Sequence, residues 1–203
     1  MLEAQIQRHV RPSVADAVLA ERSPGLLVSE DSAAVEGEQF APTVARLKDV
    51  NTAEIDTLLS AYGARLVKME LGREIPGSYW GESEAGLIEN DVFVRADTPV
   101  HSLLHELCHF ICMDATRRAQ LVTDAGGDPD EECAVCYLEV LLADELTSFG
   151  RARCLMDMDE WGYTFREGSA ERWFGGDGAS ARSWLLERGL IDQNDKPTFR
   201  VRK

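Results

Sequence analysis

The chain has 203 residues, 44% of them hydrophobic and 28% charged, which is the composition of one soluble globular domain with a sizeable core. Aspartate and glutamate outnumber lysine and arginine by 36 to 21, which gives a formal net charge of −15. Such a surface repels phosphate backbones, and the sequence contains no apolar run of about 18 residues, so we expect neither a nucleic-acid partner nor a membrane span.

The N-terminal part of the chain is predicted to be peripheral to the fold. Residues 1–48 alternate charged and apolar positions and then become acidic and rich in serine and alanine, which predicts a helical or irregular arm. No secretory-type apolar segment occurs there, so we expect a cytoplasmic protein. The signal sharpens at Asn51, which can cap a helix, with Glu54 closing a capping box and Gly63 ending the helix.

The next segments predict a small sheet followed by two long helices. ARLVKMEL alternates like a strand, and LIENDVFVR predicts a hairpin or a single bulged strand. Thr98 and Pro99 form a strong helix start, so the first long helix should run from Pro99 to about Ala115. The second should run from about Pro129 to Leu146. The predicted fold class is α+β, with a small antiparallel or mixed sheet packed on these two helices.

The first long helix carries the most informative motif, in the stretch PVHSLLHELCHFICMD. His105 and His109 lie four residues apart on one helix face, with about 6 Å of rise between them, so both can bind one metal ion. His101 lies one turn further away, too far from His109 to share that ion. Glu106 completes the pattern H-E-x-x-H, in which a carboxylate beside the first ligand can take a proton from a metal-bound water.

The second long helix, DPDEECAVCYLEVLLADEL, supplies candidates for a third metal ligand. Two histidines need a further protein ligand to hold zinc, and Glu131 or Glu132, near the start of this helix, can provide it. Glu139 lies about two turns further on, on the same face as Glu132, among small residues suited to packing against the first helix. With the two helices antiparallel, Glu139 is expected to pair with His101, although it too is a candidate ligand.

Together the two helices resemble those of known zinc peptidases. HELCHFI, followed by E-x-x-A-x-x-aromatic-x-x-x-L-L, resembles the gluzincins, the HExxH metallopeptidases whose third ligand is a glutamate, and is most similar to the ImmA/IrrE type. The resemblance covers roughly residues 50–145, and its second pattern falls on Glu131, Ala134, Tyr137, Leu141 and Leu142. It departs four residues after the ligand, where the family and related gluzincins have Asn or Asp. This chain has Val135 there or, counting from Glu132, Cys136.

The resemblance implies a function and a domain organisation. It implies a zinc-dependent peptidase that hydrolyses a peptide bond with a zinc-bound water activated by Glu106, and Tyr163 is the candidate donor to the developing oxyanion. ImmA/IrrE relatives are often tied to repressors, so the implied partner is a peptide or protein substrate, with a transcriptional repressor as a candidate. Residues 49–150 would form the catalytic core and residues 151–203 a helical extension packed on it. The alternatives are a zinc-binding regulatory or interaction domain without peptidase activity, and a metal-free structural domain.

The resemblance also implies a peptide-binding strand, because gluzincins bind substrate as an extra strand along the edge of a sheet. The segment Leu87–Arg95 is the candidate edge, which makes Val92 and Val94 candidate substrate-binding residues. Tyr79 and Trp80, in the loop before this segment, are expected to line the same cleft.

The five cysteines are an odd number, which favours reduced thiols over a disulfide framework. Cys108 and Cys112 are four residues apart, and Cys133 and Cys136 have the spacing C-x-x-C, so a structural zinc bound by four thiolates is one interpretation. Both pairs fall inside predicted helices and not on the turns that zinc ribbons use. The pattern therefore favours small buried thiols packed between the two helices.

Overall fold

The computed structural model describes residues 44–78, 81, 83–121 and 125–203 of the chain. Within those residues the chain has an α+β fold, as predicted, with a three-stranded sheet and seven α-helices. The strands are β1 (Arg65–Lys68), β2 (Gly86–Ile88) and β3 (Asp91–Val94). The helices are α1 (Thr52–Ala61), α2 (Val100–Cys112), α3 (Ala115–Arg118), α4 (Pro129–Ala143), α5 (Arg151–Trp161), α6 (Ala170–Gly175) and α7 (Ala179–Glu187).

The helices begin at the residues whose side chains or backbone favour a helix start. The Asn51 side chain accepts a hydrogen bond from the backbone of α1, and the Asp128 side chain does the same for α4. Pro99 has an extended backbone and stands directly before α2, so its missing N–H costs no helical hydrogen bond. Both long helices end three residues earlier than predicted, α2 at Cys112 and α4 at Ala143.

The sheet is mixed, with strand order β1-β3-β2. β2 and β3 form a hairpin, one of the two arrangements predicted for this segment, and pair antiparallel, whereas β1 pairs parallel with β3. The hairpin turn contains Glu89 at a positive φ of 53°. β3 is thus the central strand of the sheet. A side chain at Gly86 in β2 would come within 2.1 Å of the Pro76 carbonyl oxygen, so the loop before the strand packs closely on it and requires glycine there.

Helices α2 and α4 form the centre of the molecule. They pack against each other, α2 also packs on β2 and β3, and α4 packs against α5 and α7. Almost all of their side chains are buried, including the polar His101, His105, Glu131 and Glu139. Helices buried on nearly every face are expected to be apolar, so polar groups placed there need partners of their own.

Segments from both ends of the described chain are bound to this centre. The backbone N–H of Ala45 donates to the buried carboxylate of Asp157 on α5 at 2.8 Å, and Val44, Ala45 and Leu47 are buried. At the other end, the backbone N–H of Arg202 donates to the carbonyl oxygen of Ile111 on α2 at 2.9 Å. Residues 151–203 thus pack on the rest of the fold through one continuous hydrophobic core.

Helix length and polarity bear on the membrane prediction. Among the described helices, none is both long enough and apolar enough to cross a bilayer.

Candidate metal centre

The two motif histidines face each other on one side of α2. His105 and His109 are one helical turn apart, and their Nε2 atoms are 3.0 Å from each other. The rings are nearly perpendicular, with 82° between their planes and 4.6 Å between their centroids. His105 is buried, while the side chain of His109 retains 13% of its exposure. The helix therefore brings two imidazole nitrogens together at a place that opens towards solvent.

The third group is Glu132, from the first turn of α4. Its Oε1 lies 3.4 Å from Nε2 of His105, and its Oε2 lies 3.5 Å from Nε2 of His109. The Glu132 side chain is 32% exposed, so it forms the solvent side of the group. We call His105, His109 and Glu132 the histidine cluster, and its ligand atoms all lie within 4.8 Å of one another.

The donor set and spacing of the histidine cluster fit zinc. Zinc bonds to imidazole nitrogen and carboxylate oxygen are about 2.0–2.1 Å long, so neighbouring ligand atoms in a tetrahedral site lie about 3.3 Å apart. The two Nε2 atoms are 3.0 Å apart, and each has a different oxygen of Glu132 near it, Oε1 at 3.4 Å from His105 and Oε2 at 3.5 Å from His109. Two imidazoles and one carboxylate also leave a fourth position for water or substrate, as catalytic zinc sites require. The residues are therefore candidate ligands for this ion.

Glu131, the other candidate third ligand, has different partners. It is 4% exposed, and its carboxylate forms ion pairs with Arg117 at 2.8 Å and with Arg202 at 2.9 Å. Arg117 also donates to the carbonyl oxygens of Ala125 and Gly126. We call Glu131, Arg117 and Arg202 the arginine cluster. Because two guanidinium groups already bind its carboxylate, Glu131 is placed for a structural role, and the structure brings Glu132 to the histidines.

Glu139 is completely buried in the interface between α2 and α4. The sequence predicts that Glu139 pairs with His101. This is corrected, because Oε2 of Glu139 lies 3.0 Å from Nδ1 of His105, one helical turn further along α2. A second group of possible metal ligands, His105, Cys136 and Glu139, is fully buried and shares His105 with the histidine cluster. His101 instead contacts aromatic rings, at 5.3 Å from Trp161 and 5.7 Å from Tyr163 between ring centroids.

The two predicted catalytic residues lie near the histidine cluster. Glu106 follows His105 on α2 and is half-buried, with part of its surface open to solvent. Tyr163, just after α5, is 7% exposed and packs edge-on against His105, with 6.1 Å between ring centroids. The catalytic roles of these two residues remain predictions.

Two of the predicted substrate-binding residues, Val92 and Val94, lie in the interior of the protein. Val92 and Val94 are fully buried, and their strand β3 pairs with β1 on one side and β2 on the other. They belong to the hydrophobic core and cannot form the free edge that a peptide needs, so this prediction is corrected. Tyr79 and Trp80 lie outside the described residues.

All five cysteines are reduced and buried, and for the four on α2 and α4 this agrees with the packing interpretation. Burial raises the pKa of the Cys108 and Cys154 thiols well above their ordinary value, and raises that of Cys133 to about 11, so these thiols stay protonated at neutral pH. Among the described residues, the groups able to hold a metal include one cysteine at most, Cys136. This arrangement gives no support to a four-thiolate zinc site.

Sequence reasoning did not identify the partners of the two buried glutamates. Arg202 is 71 residues from Glu131, and Cys154, whose Sγ lies 3.9 Å from Oε1 of Glu139, comes from a different helix. No local pattern links such distant positions. The only signal was the presence of a glutamate in an otherwise apolar helix, which indicates that a partner exists without naming it.

The fold and the histidine cluster together define a candidate metal centre between two buried helices. No protein-family model, no curated protein and no solved structure matches this chain. The chemistry of the centre must therefore be argued from its own residues, and the resemblance to the gluzincins remains a prediction.

Proposed function

We propose that the chain is a zinc-dependent peptidase whose metal ligands are His105, His109 and Glu132. The observation that carries the proposal is the convergence of two imidazole nitrogens and one carboxylate, 3.0 to 3.5 Å apart, beside the H-E-x-x-H glutamate. A bound cation would also offset the cost of burying His105 beside the carboxylates of Glu132 and Glu139.

In this proposal each residue of the centre has a defined task. When bound, zinc would supply a Lewis acid that polarises the substrate carbonyl and activates water at neutral pH. Glu106 accepts the proton of the attacking water and returns it to the leaving amine, as a general base and then a general acid. Tyr163 donates a hydrogen bond to the oxygen on which negative charge develops. The partial exposure of Glu132 and His109 gives a substrate access to the centre.

The substrate class follows from the resemblance and from charge. HELCH followed by a glutamate-bearing helix resembles the ImmA/IrrE peptidases, so we propose a peptide or protein substrate, with a transcriptional repressor as the first candidate. The net charge of −15 disfavours direct binding of nucleic acid, so the chain would recognise such a repressor through protein–protein contacts and not through DNA. We also propose a cytoplasmic location, because a transcriptional repressor would be encountered there.

A zinc-binding regulatory or interaction domain without peptidase activity is the second candidate. It is favoured by the sheet, because β3 is central and β2 is only three residues long, with the preceding loop packed on it. A peptide would therefore find little free strand edge on the β2 side of the sheet, and the other edge is the four-residue strand β1. The zinc ligands would be the same in this case.

The test compares wild type with Glu106→Gln, both purified without a histidine tag. We expect about one zinc per chain in both proteins by metal analysis. Cleavage of a defined peptide mixture, followed by mass spectrometry, should fall about 10²–10⁴-fold in the variant, because the general base is lost. Glu160→Gln, at an exposed position of α5, controls for the same chemical change away from the centre.

Three results would decide between the candidates. Undiminished cleavage by Glu106→Gln would contradict the proposed mechanism. A zinc-loaded wild type that cleaves none of the peptides and no candidate repressor would favour the interaction domain. Absence of zinc from the wild type, even after incubation with the metal, would reject both.

A further inference from the structure

Glu139 is the most deeply buried carboxylate among the described residues. It is 0% exposed and lies in the middle of α4, among valine, leucine and cysteine side chains. A carboxylate in such surroundings is retained only where partners offset the loss of water. The identity of those partners therefore indicates what it does.

The two oxygens of Glu139 contact two different helices. Oε2 lies 3.0 Å from Nδ1 of His105 on α2, and Oε1 lies 3.9 Å from Sγ of Cys154 on α5. Burial raises the pKa of the Cys154 thiol well above its usual value, and the negative charge of Glu139 adds to the effect. The thiol therefore keeps its proton and can donate to the carboxylate.

The contact with His105 determines which nitrogen of that ring can bind a metal. A carboxylate accepts hydrogen bonds, so the proton between the two groups belongs on Nδ1 of His105. The opposite nitrogen, Nε2, then has its lone pair directed at the space between Glu132 and His109. A neighbouring carboxylate also makes the ring a stronger donor to a metal.

We propose that Glu139 is a positioning residue, which holds His105 in the tautomer and orientation that present Nε2 to the ion. This inference rests on the proposed zinc site, and it assigns Glu139 a role other than ligation. The alternative is that an ion binds the buried group His105, Cys136 and Glu139 directly. Because Nδ1 is the nitrogen of His105 that faces Glu139, such an ion would use Nδ1 as its ligand atom. The two arrangements use opposite nitrogens of the same ring.

The first experiment measures zinc affinity by competition with a chelator. Glu139→Gln keeps the size of the side chain but removes its charge, and should lower the affinity about 10–100-fold, as loss of a carboxylate behind a histidine ligand generally does. Glu131→Gln is the matched control, since it alters another buried glutamate of α4 that contacts arginines, and should leave the affinity within about 2-fold. Equal affinities of Glu139→Gln and wild type would overturn the proposal.

The second experiment needs no variant and thus covers the case in which Glu139→Gln fails to fold. Nitrogen-15 NMR of histidine-labelled wild type, with and without zinc, identifies which ring nitrogen of His105 carries a proton. We expect a proton on Nδ1 in both states and, with zinc, a metal-bound Nε2. An unprotonated or metal-bound Nδ1 would overturn the proposal.

The two readouts separate this inference from the proposed function. If the wild type binds zinc but cleaves no peptide, and Glu139→Gln binds zinc more weakly, the positioning role stands and the peptidase proposal fails. A wild type that binds no zinc would remove the proposed function, and the proton on Nδ1 would then test the contact alone.

Discussion

Glu131 and Glu132 are neighbours on α4, yet they belong to two different regions of the molecule. Glu131 is buried in the arginine cluster, where Arg117 and Arg202 bind its carboxylate at 2.8 and 2.9 Å. Glu132 is part of the histidine cluster, where its oxygens lie 3.4 and 3.5 Å from two imidazole nitrogens. One residue along a helix turns a side chain by about 100°, which is enough to give it a different set of neighbours.

The partners of each carboxylate, and not its residue type, therefore decide its role. Guanidinium groups carry a permanent positive charge, so they satisfy Glu131 and fix it in place. Imidazoles are neutral ligands once deprotonated, so they leave the negative charge of Glu132 available to a cation. A metal is therefore expected in the second region and not in the first.

The largest expected effect is on zinc binding, when Glu132 and Glu131 are each replaced by alanine. Glu132→Ala removes one of three proposed ligands and should weaken zinc binding by more than about 100-fold, beyond the effect of losing an outer partner. Glu131→Ala should leave zinc binding nearly unchanged. Calorimetric titration of both variants measures the contrast, and a stronger loss in Glu131→Ala would reverse our assignment of the third ligand.

A smaller effect is expected on stability, where Glu131 should matter more than Glu132. Glu131→Gln breaks two ion pairs that join α3, α4 and the C-terminal segment, and it leaves two partly exposed arginines without their carboxylate. Because both arginines retain some contact with water, we expect a loss of about 1–3 kcal/mol in the free energy of unfolding. Urea denaturation of the metal-free protein measures it. Glu132→Gln should change the stability by less than about 0.5 kcal/mol, and a loss equal to that of Glu131→Gln would contradict the comparison.

The smallest expected effect concerns alkaline pH and the thiols beside the two regions. Burial raises the pKa of the Cys112 thiol well above its ordinary value, and the charge of Glu131 raises it further. Above pH 9 the unfolded chain releases this proton while the folded protein retains it, so stability falls as the pH rises. One such thiol contributes a loss of about 1 kcal/mol between pH 9 and pH 10. Urea denaturation with reductant should show a loss smaller by that amount in Cys112→Ala, and an unchanged pH dependence would refute the account.

Much of the framework follows from local sequence. Asn51 and Asp128 cap their helices, the hairpin between β2 and β3 follows from LIENDVFVR, and the spacing of His105 and His109 places both on one helix face. Each of these depends on residues close together in the chain, where periodicity and capping act.

The remaining features depend on tertiary packing. The rotation of α4 against α2 decides between Glu131 and Glu132, and the same rotation places Glu139 on His105. Val92 could not be recognised as part of a central strand, because its strand pairs in parallel with β1, a segment about 26 residues earlier. Such distant pairings leave no trace in local patterns.

X-ray absorption at the zinc edge of the loaded wild-type protein tests the central claim most directly. If His105, His109 and Glu132 hold the ion, the first shell contains only nitrogen and oxygen at about 2.0–2.1 Å, with the multiple scattering of two imidazoles. A sulfur neighbour at about 2.3 Å would place the ion on Cys136 and would contradict the account.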